Sequence, residues 1–336
     1  MTTIALDAMG TDAHPDPDVR GAVMAASEYD LDIVLVGDEK QIRPLLDSLS
    51  ADSLPIRVLH ASEMLTMNDK SDELVRKARH KDAKNSMAIG IDLVKNGEAD
   101  AFVSAGNTGA TMVTSLFRLG RLKGINRPAL APVFPTANGS CVVLDVGANP
   151  DCKPRNLVEF AIMGSVYAEK VRGVSNPKVG IISNGEEAGK GSELVRETYP
   201  LLEGSGLNFY GNIEGKDLID GKVDVAVTDG FTGNVMLKSS EAVAKLIAKK
   251  LKELIMNGNL LVKIGGLLVK PALGAMKSLL DPNDVGAAPL LGVNGLVFVG
   301  HGSSDAIAVK NAIRVAKEAV EADVLTSIRE ALEKKS

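Results

Sequence analysis

The chain has no tryptophan, and among its 336 residues are only four Tyr and seven Phe. A platform of stacked aromatics for single-stranded nucleic acid is therefore excluded. The formal net charge of −5 argues against a whole-surface nucleic-acid footprint as well. Two cysteines, Cys141 and Cys152, are too few for a disulfide framework or a metal quartet. No run of about 18 uncharged apolar residues appears, so a membrane-spanning helix is not expected. The opening MTTIALDAMG lacks the basic-then-apolar pattern of a secretory signal. Serine-hydrolase elbows, HExxH and CxxC are also missing, and neither Walker A nor GxGxxG occurs. These absences leave a reduced, cytoplasmic α/β protein, and no metal or cofactor is expected.

Glycine is plentiful, at 33 residues, and its placement is informative. Eight short apolar runs end in polar or glycine-rich loops: 3–6, 32–36, 56–59, 101–103, 141–144, 179–182, 224–227 and 296–299. Helical patterns lie between them, for instance at 86–95, 156–171 and 239–254. Strands alternating with helices predict βαβ units and a mostly parallel sheet. In such sheets ligands bind beyond the carboxyl ends of the strands, where these loops gather. The whole chain, 1–336, reads as a single α/β unit, one lobe or two.

Two of the loops share the pattern [S/T]-x-G-x-T-G. They are Ser104–Gly109, with Gly106, Asn107, Thr108 and Gly109, and Thr228–Gly233, with Asp229, Gly230, Thr232 and Gly233. Each follows a strand and opens a helix, so each offers N–H groups to an anion, and Asn107 and Asn234 can add donors. A third loop, Ser183-Asn184-Gly185-Glu186-Glu187-Ala188-Gly189-Lys190-Gly191, sets a lysine between glycines. Lys190 can reach a phosphate or a developing oxyanion; alternatively it is a solvated lysine paired with Glu186 or Glu187. His301, in GHGSS with Ser303, is a candidate general base or a turn residue.

The charge is uneven. Between Met236 and Leu280 eight lysines stand against two glutamates, +6 locally, which leaves −11 for the rest. Residues 236–256 predict an amphipathic helix ending near Asn257-Gly258. Beyond it, Gly265-Gly266 and Pro271 predict two short helical pieces rather than one helix. The resulting hairpin, 236–284, carries Leu260, Leu261, Ile264, Leu267 and Leu268 beside Lys263, Lys270 and Lys277. An interfacial membrane segment has this composition, and so does a dimer interface with a lysine rim. A second basic cluster, Arg118, Arg121, Lys123 and Arg127, follows the helix that SAGNTGA opens.

Taken in order, IALDAMGTD, SAGNTGA, LDVGAN, SNGEE with Lys190-Gly191, VTDGFTGN and GHGSS resemble the bacterial phosphate acyltransferases of phospholipid synthesis over nearly the whole chain. One departure is visible: Thr11 stands where that family usually has a second glycine. The resemblance implies an αβα sandwich similar to phosphotransacetylases and isocitrate dehydrogenases, with a protruding helical hairpin. It implies transfer of a long acyl chain from acyl carrier protein to inorganic phosphate, giving acyl phosphate for a downstream glycerol-3-phosphate acyltransferase. It further implies a homodimer associated peripherally with an anionic membrane surface. On this reading Lys190, Asn184, Asn107 and Asn234 serve the reaction. Asp7, Gly106, Thr108, Gly109, Asp145, Asn149, Asp229, Thr232, Gly233, His301 and Ser303 line the phosphate and substrate site, with the three aspartates orienting loops and donors. Arg118, Arg121, Lys123 and Arg127 would dock the acidic carrier. Two rivals remain: a short-chain phosphotransacetylase using coenzyme A, and a non-catalytic scaffold that binds a phospho-ligand.

Overall fold

The computed structural model describes residues 1–65, 71–80, 83–280 and 285–334; within these, the side chains of 71–74 and 272–280 are not described. All eight expected strands form: β1 Thr2–Asp7, β2 Leu31–Gly37, β3 Ile56–His60, β4 Ala101–Ser104, β7 Gly139–Leu144, β8 Lys178–Ile182, β10 Val225–Val227 and β12 Leu296–Val299. Among the described residues four more are present: β5 Ala129–Leu130, β6 Val133–Thr136, β9 Asn208–Ile213 and β11 Ala288–Leu291. They are distributed over two sheets, in the orders β3-β2-β1-β4-β12-β11-β5 and β6-β7-β10-β8-β9. Pairing is parallel except at β11–β12, β11–β5 and β6–β7. The chain passes from one sheet to the other between β5 and β6. Pro135 of β6 is tolerated because β6 is an edge strand, where one side needs no ladder donor.

The layers follow from strand alternation. Ile4 and Leu6 of β1 enter one core cluster with Val19 of α1 (Asp16–Glu28) and Val309 of α11 (Ala306–Glu321). Ala5, between them, enters another with Met87 and Ile91 of α4 (Ser86–Asn96). Successive residues thus face opposite helical layers, as an αβα sandwich requires. In the smaller sheet Leu144 and Val225 join the first cluster through Phe160 of α6 (Pro154–Lys170), and Cys141 and Val143 face the other way. Since Leu6 and Leu144 share one cluster, a continuous core runs beneath both sheets.

The remaining helices are α2 Glu39–Ser48, α3 Ser71–Arg79, α5 Thr108–Arg118, α7 Glu193–Glu203, α8 Gly215–Asp220, α9 Gly230–Asn257, α10 Leu260–Leu280 and α12 Val324–Glu333. Two expectations need correction. The helix expected from residue 236 begins at Gly230, because Asp229 caps it: the Asp229 carboxylate accepts the Thr232 N–H at 2.8 Å. The segment beyond Asn257 is one helix, α10, rather than two pieces. Gly266 does not break it; it lets α10 approach α9, since a Cβ there would lie 2.3 Å from Ile255 Cγ2. Pro271 sits within the same helix. Of the expected hairpin 236–284, residues 281–284 lie outside the described residues, as does the side chain of Lys277. Among the described residues no helix is long and apolar enough to cross a membrane.

Candidate functional site

Three of the sequence-predicted loops come together at the carboxyl ends of β1, β4 and β12. Asp7, 1% exposed, closes β1. Its carboxylate accepts the Met9 N–H at 3.1 Å and the Ser104 hydroxyl at 2.8 Å. Ser104 Oγ in turn accepts the Gly106 N–H at 3.1 Å. The backbone of the first loop lies on the second: a Cβ on Gly10 would sit 2.9 Å from the Ala105 nitrogen. The third loop joins through Asp12, whose N–H donates to the Gly302 carbonyl at 2.7 Å. His301 and Ser303 are exposed, and Ser303 Oγ lies 2.8 Å from His301 Nδ1.

Thr11, at the position of the departure from the family pattern, is not among the residues with positive φ, so this turn does not require glycine. Its buried hydroxyl donates to Asp18 Oδ2 at 2.6 Å. Asp18, in the first turn of α1, is fully buried, and its Oδ1 has no hydrogen-bond partner. Desolvation, with a smaller contribution from the neighbouring Asp7 charge, pushes the Asp18 carboxyl up to about 8. Burial likewise raises the carboxyl of Asp7. Sequence reasoning missed Asp18, because an acid in a first helical turn reads as an ordinary complement to the helix dipole.

A second group forms at the ends of β7 and β10. Asp145 is fully buried, and its carboxylate accepts N–H groups from Leu130 (3.0 Å), Ala148 (3.2 Å) and Asn149 (2.6 Å), and the Asn149 side-chain amide (2.9 Å). Asn149, 3% exposed, also donates to the Pro128 carbonyl at 2.7 Å. Asn149 also borders the cavity described below, while Asp145, expected to orient loops and donors, bonds to it and to backbone and holds the loop that β10's end packs against. Burial raises the Asp145 carboxyl, despite its donors. Asp229 Oδ2 accepts the Thr232 hydroxyl at 2.8 Å, and Asn234 lies beside Gly147.

The two look-alike loops turn out to be unequal. At the start of α9 the Gly230 N–H donates to the Asn149 carbonyl at 2.8 Å and the Thr232 N–H to Asp229, which leaves Phe231. At the start of α5 the Asn107 carboxamide oxygen accepts from Ala110 at 2.9 Å, and among the described residues nothing accepts the N–H groups of Thr108 and Gly109. Packing requires glycine at one place and not at the other. A Cβ on Gly233 would lie 2.0 Å from the Asp145 carbonyl oxygen, whereas one on Gly109 meets only Asn107 Oδ1, at 3.3 Å.

Lys190 is exposed and makes no ion pair among the described residues. The alternative pairing with Glu186 does not occur: Glu186 bonds to Lys216 at 3.2 Å. Asn184 Oδ1 is engaged by the Gly191 N–H at 2.9 Å and shapes the loop that carries Lys190. Glu186, Glu214 and Asp217 bring carboxylate oxygens within 4.8 Å of one another, with Lys216 and Lys222 paired into the group.

Arg118 must be corrected as a docking residue. Its side chain is only 9% exposed and is tied to Asp92 and to the His80 carbonyl (2.6 Å). Arg121, Lys123 and Arg127 are exposed. Arg121 and Arg127 border a cavity of about 320 Å³ between α5 and the Asp145–Asn149 loop, whose other walls include Met112, Leu116, Pro128 and Ala148. Cys152 lies nearby, its thiol 3.5 Å from the Asn149 carbonyl and pushed up to about 11, mainly by burial.

Residues 2–327 match the sequence profile of a family described as "Fatty acid synthesis protein". The chain is 50% identical over 330 residues to a phosphate acyltransferase of Pelotomaculum thermopropionicum, covering 98% of this chain and 95% of that one. It is 48% identical over 330 residues to a phosphate acyltransferase of Geobacter sulfurreducens, covering 98% and 94%. In fold it is similar to a phosphotransacetylase from Streptococcus pyogenes, with TM-score 0.59, 19% identity, and 99% and 94% of the two chains covered. It is similar also to the EutD phosphotransacetylase from Staphylococcus aureus, with TM-score 0.58, 18% identity and 94% of each chain covered.

Proposed function

The chain belongs to the phosphate acyltransferase family, and from that premise we propose that it transfers a long fatty acyl chain from acyl carrier protein to inorganic phosphate. The observation that carries the reading is the open start of α5: two N–H groups and the Asn107 cap form an anion cradle beside a cavity walled by apolar side chains and bordered by cations. A phosphate oxygen attacks the thioester carbonyl carbon. The tetrahedral oxyanion then collapses, the C–S bond breaks, and the carrier thiolate leaves as acyl phosphate forms.

Little acid–base assistance is needed. Phosphate is already anionic at neutral pH, and a thiolate with a pKa near ~8.5 leaves readily. Positioning and charge stabilisation are the remaining tasks. The first turn of α5 holds phosphate, and Lys190 supplies positive charge to phosphate or to the oxyanion. Asp7, Asp145, Asn149 and Asp229 fix the loops through bonds to backbone and hydroxyl groups; as carboxylates, the aspartates would repel a phosphate dianion. Cys152, with its thiol at about 11, is protonated at neutral pH and ill suited to an acyl-enzyme intermediate, which favours direct transfer.

The α9–α10 hairpin supports peripheral membrane association. Leu260, Leu261, Leu267 and Leu268 are 70–78% exposed, and Lys263 and Lys270 are exposed beside them. Each nearby lysine adds about 1 kcal/mol on an anionic surface. Release there would deliver a reactive amphiphile to a membrane-bound glycerol-3-phosphate acyltransferase. Homodimerisation, cytoplasmic placement and a role in phosphatidic acid synthesis belong to the same proposal.

The test is thiol release by the purified protein from long-chain acyl-carrier protein, with and without phosphate. Phosphate-dependent release is expected. Activity only with short-chain acyl-coenzyme A would transfer the protein to the phosphotransacetylases, and binding of phosphate without turnover would make it a scaffold.

A further inference from the structure

We infer that the cavity alongside α5 is the binding site for the phosphate-bearing arm that tethers the acyl thioester to its carrier, with Arg121 and Arg127 gripping the phosphodiester. The inference rests on the acyl-carrier reading above and assigns its donor a subsite.

Thr108, Met112 and Leu116 are four residues apart and share one face of α5. Thr108 belongs to the open first turn, whereas Met112 and Leu116 wall the cavity. From Thr108 to Leu116 this face runs about 12 Å, at 1.5 Å per residue. It leads from an anion cradle, past apolar side chains, to two guanidinium groups. Pro128 and Ala148 supply apolar wall on the opposite side. A ligand that matches this sequence of surfaces has a reacting thioester at one end, an uncharged chain in the middle and a phosphate ester at the other end.

The cationic end is built rather than incidental. Glu159, 4% exposed, accepts the Asn126 N–H at 2.8 Å and its carboxamide at 2.5 Å. Asn126, so fixed, accepts from Arg121 Nη1 through its carbonyl, at 2.6 Å. That bond orients Arg121 and leaves its other donors available. Neither Arg121 nor Arg127 is paired with a carboxylate among the described residues, in contrast to Arg118, which Asp92 neutralises. Two unneutralised guanidiniums beside an apolar cavity of about 320 Å³ suit a phosphate ester, which accepts planar, forked donors.

Inorganic phosphate has the same charge chemistry and must be distinguished from the arm. The test compares acyl-phosphopantetheine with acyl-pantetheine as donors for the full chain, and follows binding of the two free arms by calorimetry. The wild-type protein should favour the phosphorylated donor in kcat/KM by about tenfold or more, as charge-assisted contacts of this kind provide. Arg127→Ala should lower that preference about tenfold, with a parallel loss in binding of free phosphopantetheine. Arg121→Lys, which keeps the charge but loses the fork, should lower it less, and serves as the second variant if replacing Arg121 by Ala disturbs the loop. The inference is overturned if wild-type protein does not discriminate the two arms, or if the variants lose both donors equally. It is overturned as well if the variants raise KM for inorganic phosphate while the donor preference stands. Were neither donor turned over while acyl-carrier protein is, the binding of the two free arms decides, and equal binding overturns the subsite; no turnover of acyl-carrier protein itself would instead fail the acyl-carrier reading.

Discussion

Asp145 and Leu130 bind the two sheets together: a carboxylate at the end of β7 in one sheet accepts, at 3.0 Å, the N–H of a β5 residue in the other. The same carboxylate holds the Ala148–Asn149 backbone, against which α9 begins. This buried side chain, with Asn149 donating to the Pro128 carbonyl, ties the smaller sheet to β5 of the larger one and shapes the loop on which α9 begins.

Gly233 packs on that junction, so Gly233→Ala should be severely destabilising. The new Cβ would lie 2.0 Å from the Asp145 carbonyl oxygen, and backbone would have to move; overpacking of this kind costs about 1–3 kcal/mol or more. Gly109→Ala, at the equivalent place in the other loop, should keep or slightly raise the melting temperature, since alanine is the better helix former. It should nevertheless reduce turnover, because its methyl group borders the phosphate cradle. Thermal melts and kinetics of the two variants check the pair. Similar melting temperatures would contradict the distinction drawn between the loops.

Asp18 predicts a pH dependence of stability. Its carboxyl is raised from about 3.8 to about 8 in the folded chain, so the folded state retains a proton that the unfolded state releases. Its contribution is therefore fully present below about pH 4 and is lost as pH rises to about 8, with a slope of at most about 1.4 kcal/mol per unit. Asp18→Asn, which mimics the protonated acid, should flatten this decline in denaturant titrations between pH 5 and 8. Parallel curves for variant and wild type would refute the buried-proton assignment.

Lys190→Ala should fold normally, because the side chain is exposed and makes no ion pair among the described residues. Loss of one positioned charge at the reacting centre typically costs ~10²–10³ in turnover. Near-wild-type turnover in a folded variant would remove Lys190 from the mechanism.

Much of this was legible in the sequence. The eight strands and the glycine loops at their ends followed from β-branched runs interrupted by turn residues. The division into two sheets was not legible, because β5 is two residues long and β6 carries Pro135, which masks strand character. The two look-alike cradles could not be told apart, since the difference lies in which loop packs on Asp145, a contact between distant parts of the chain. Arg118 reads as a solvated helix end; only the fold brings Asp92 to it. Gly265-Gly266 reads as a helix break, yet α10 runs through it, and Gly266 becomes a helix–helix contact because Ile255 lies across it.

The hairpin gives a further prediction. Leu261→Glu with Leu268→Glu should abolish sedimentation with anionic vesicles while subunit mass and activity in solution persist, since both leucines are more than 70% exposed and touch no core. Dissociation of a dimer into monomers, or undiminished vesicle binding, would count against insertion and favour burial between subunits.

The central claim is that phosphate itself attacks the thioester. Phosphate labelled with ¹⁸O on all four oxygens, incubated with the protein and long-chain acyl-carrier protein, tests it most directly by mass spectrometry. The account predicts acyl phosphate carrying all four labels, with one free carrier thiol per molecule formed. Release of unlabelled fatty acid at a rate independent of phosphate, with no acyl phosphate formed, would contradict it.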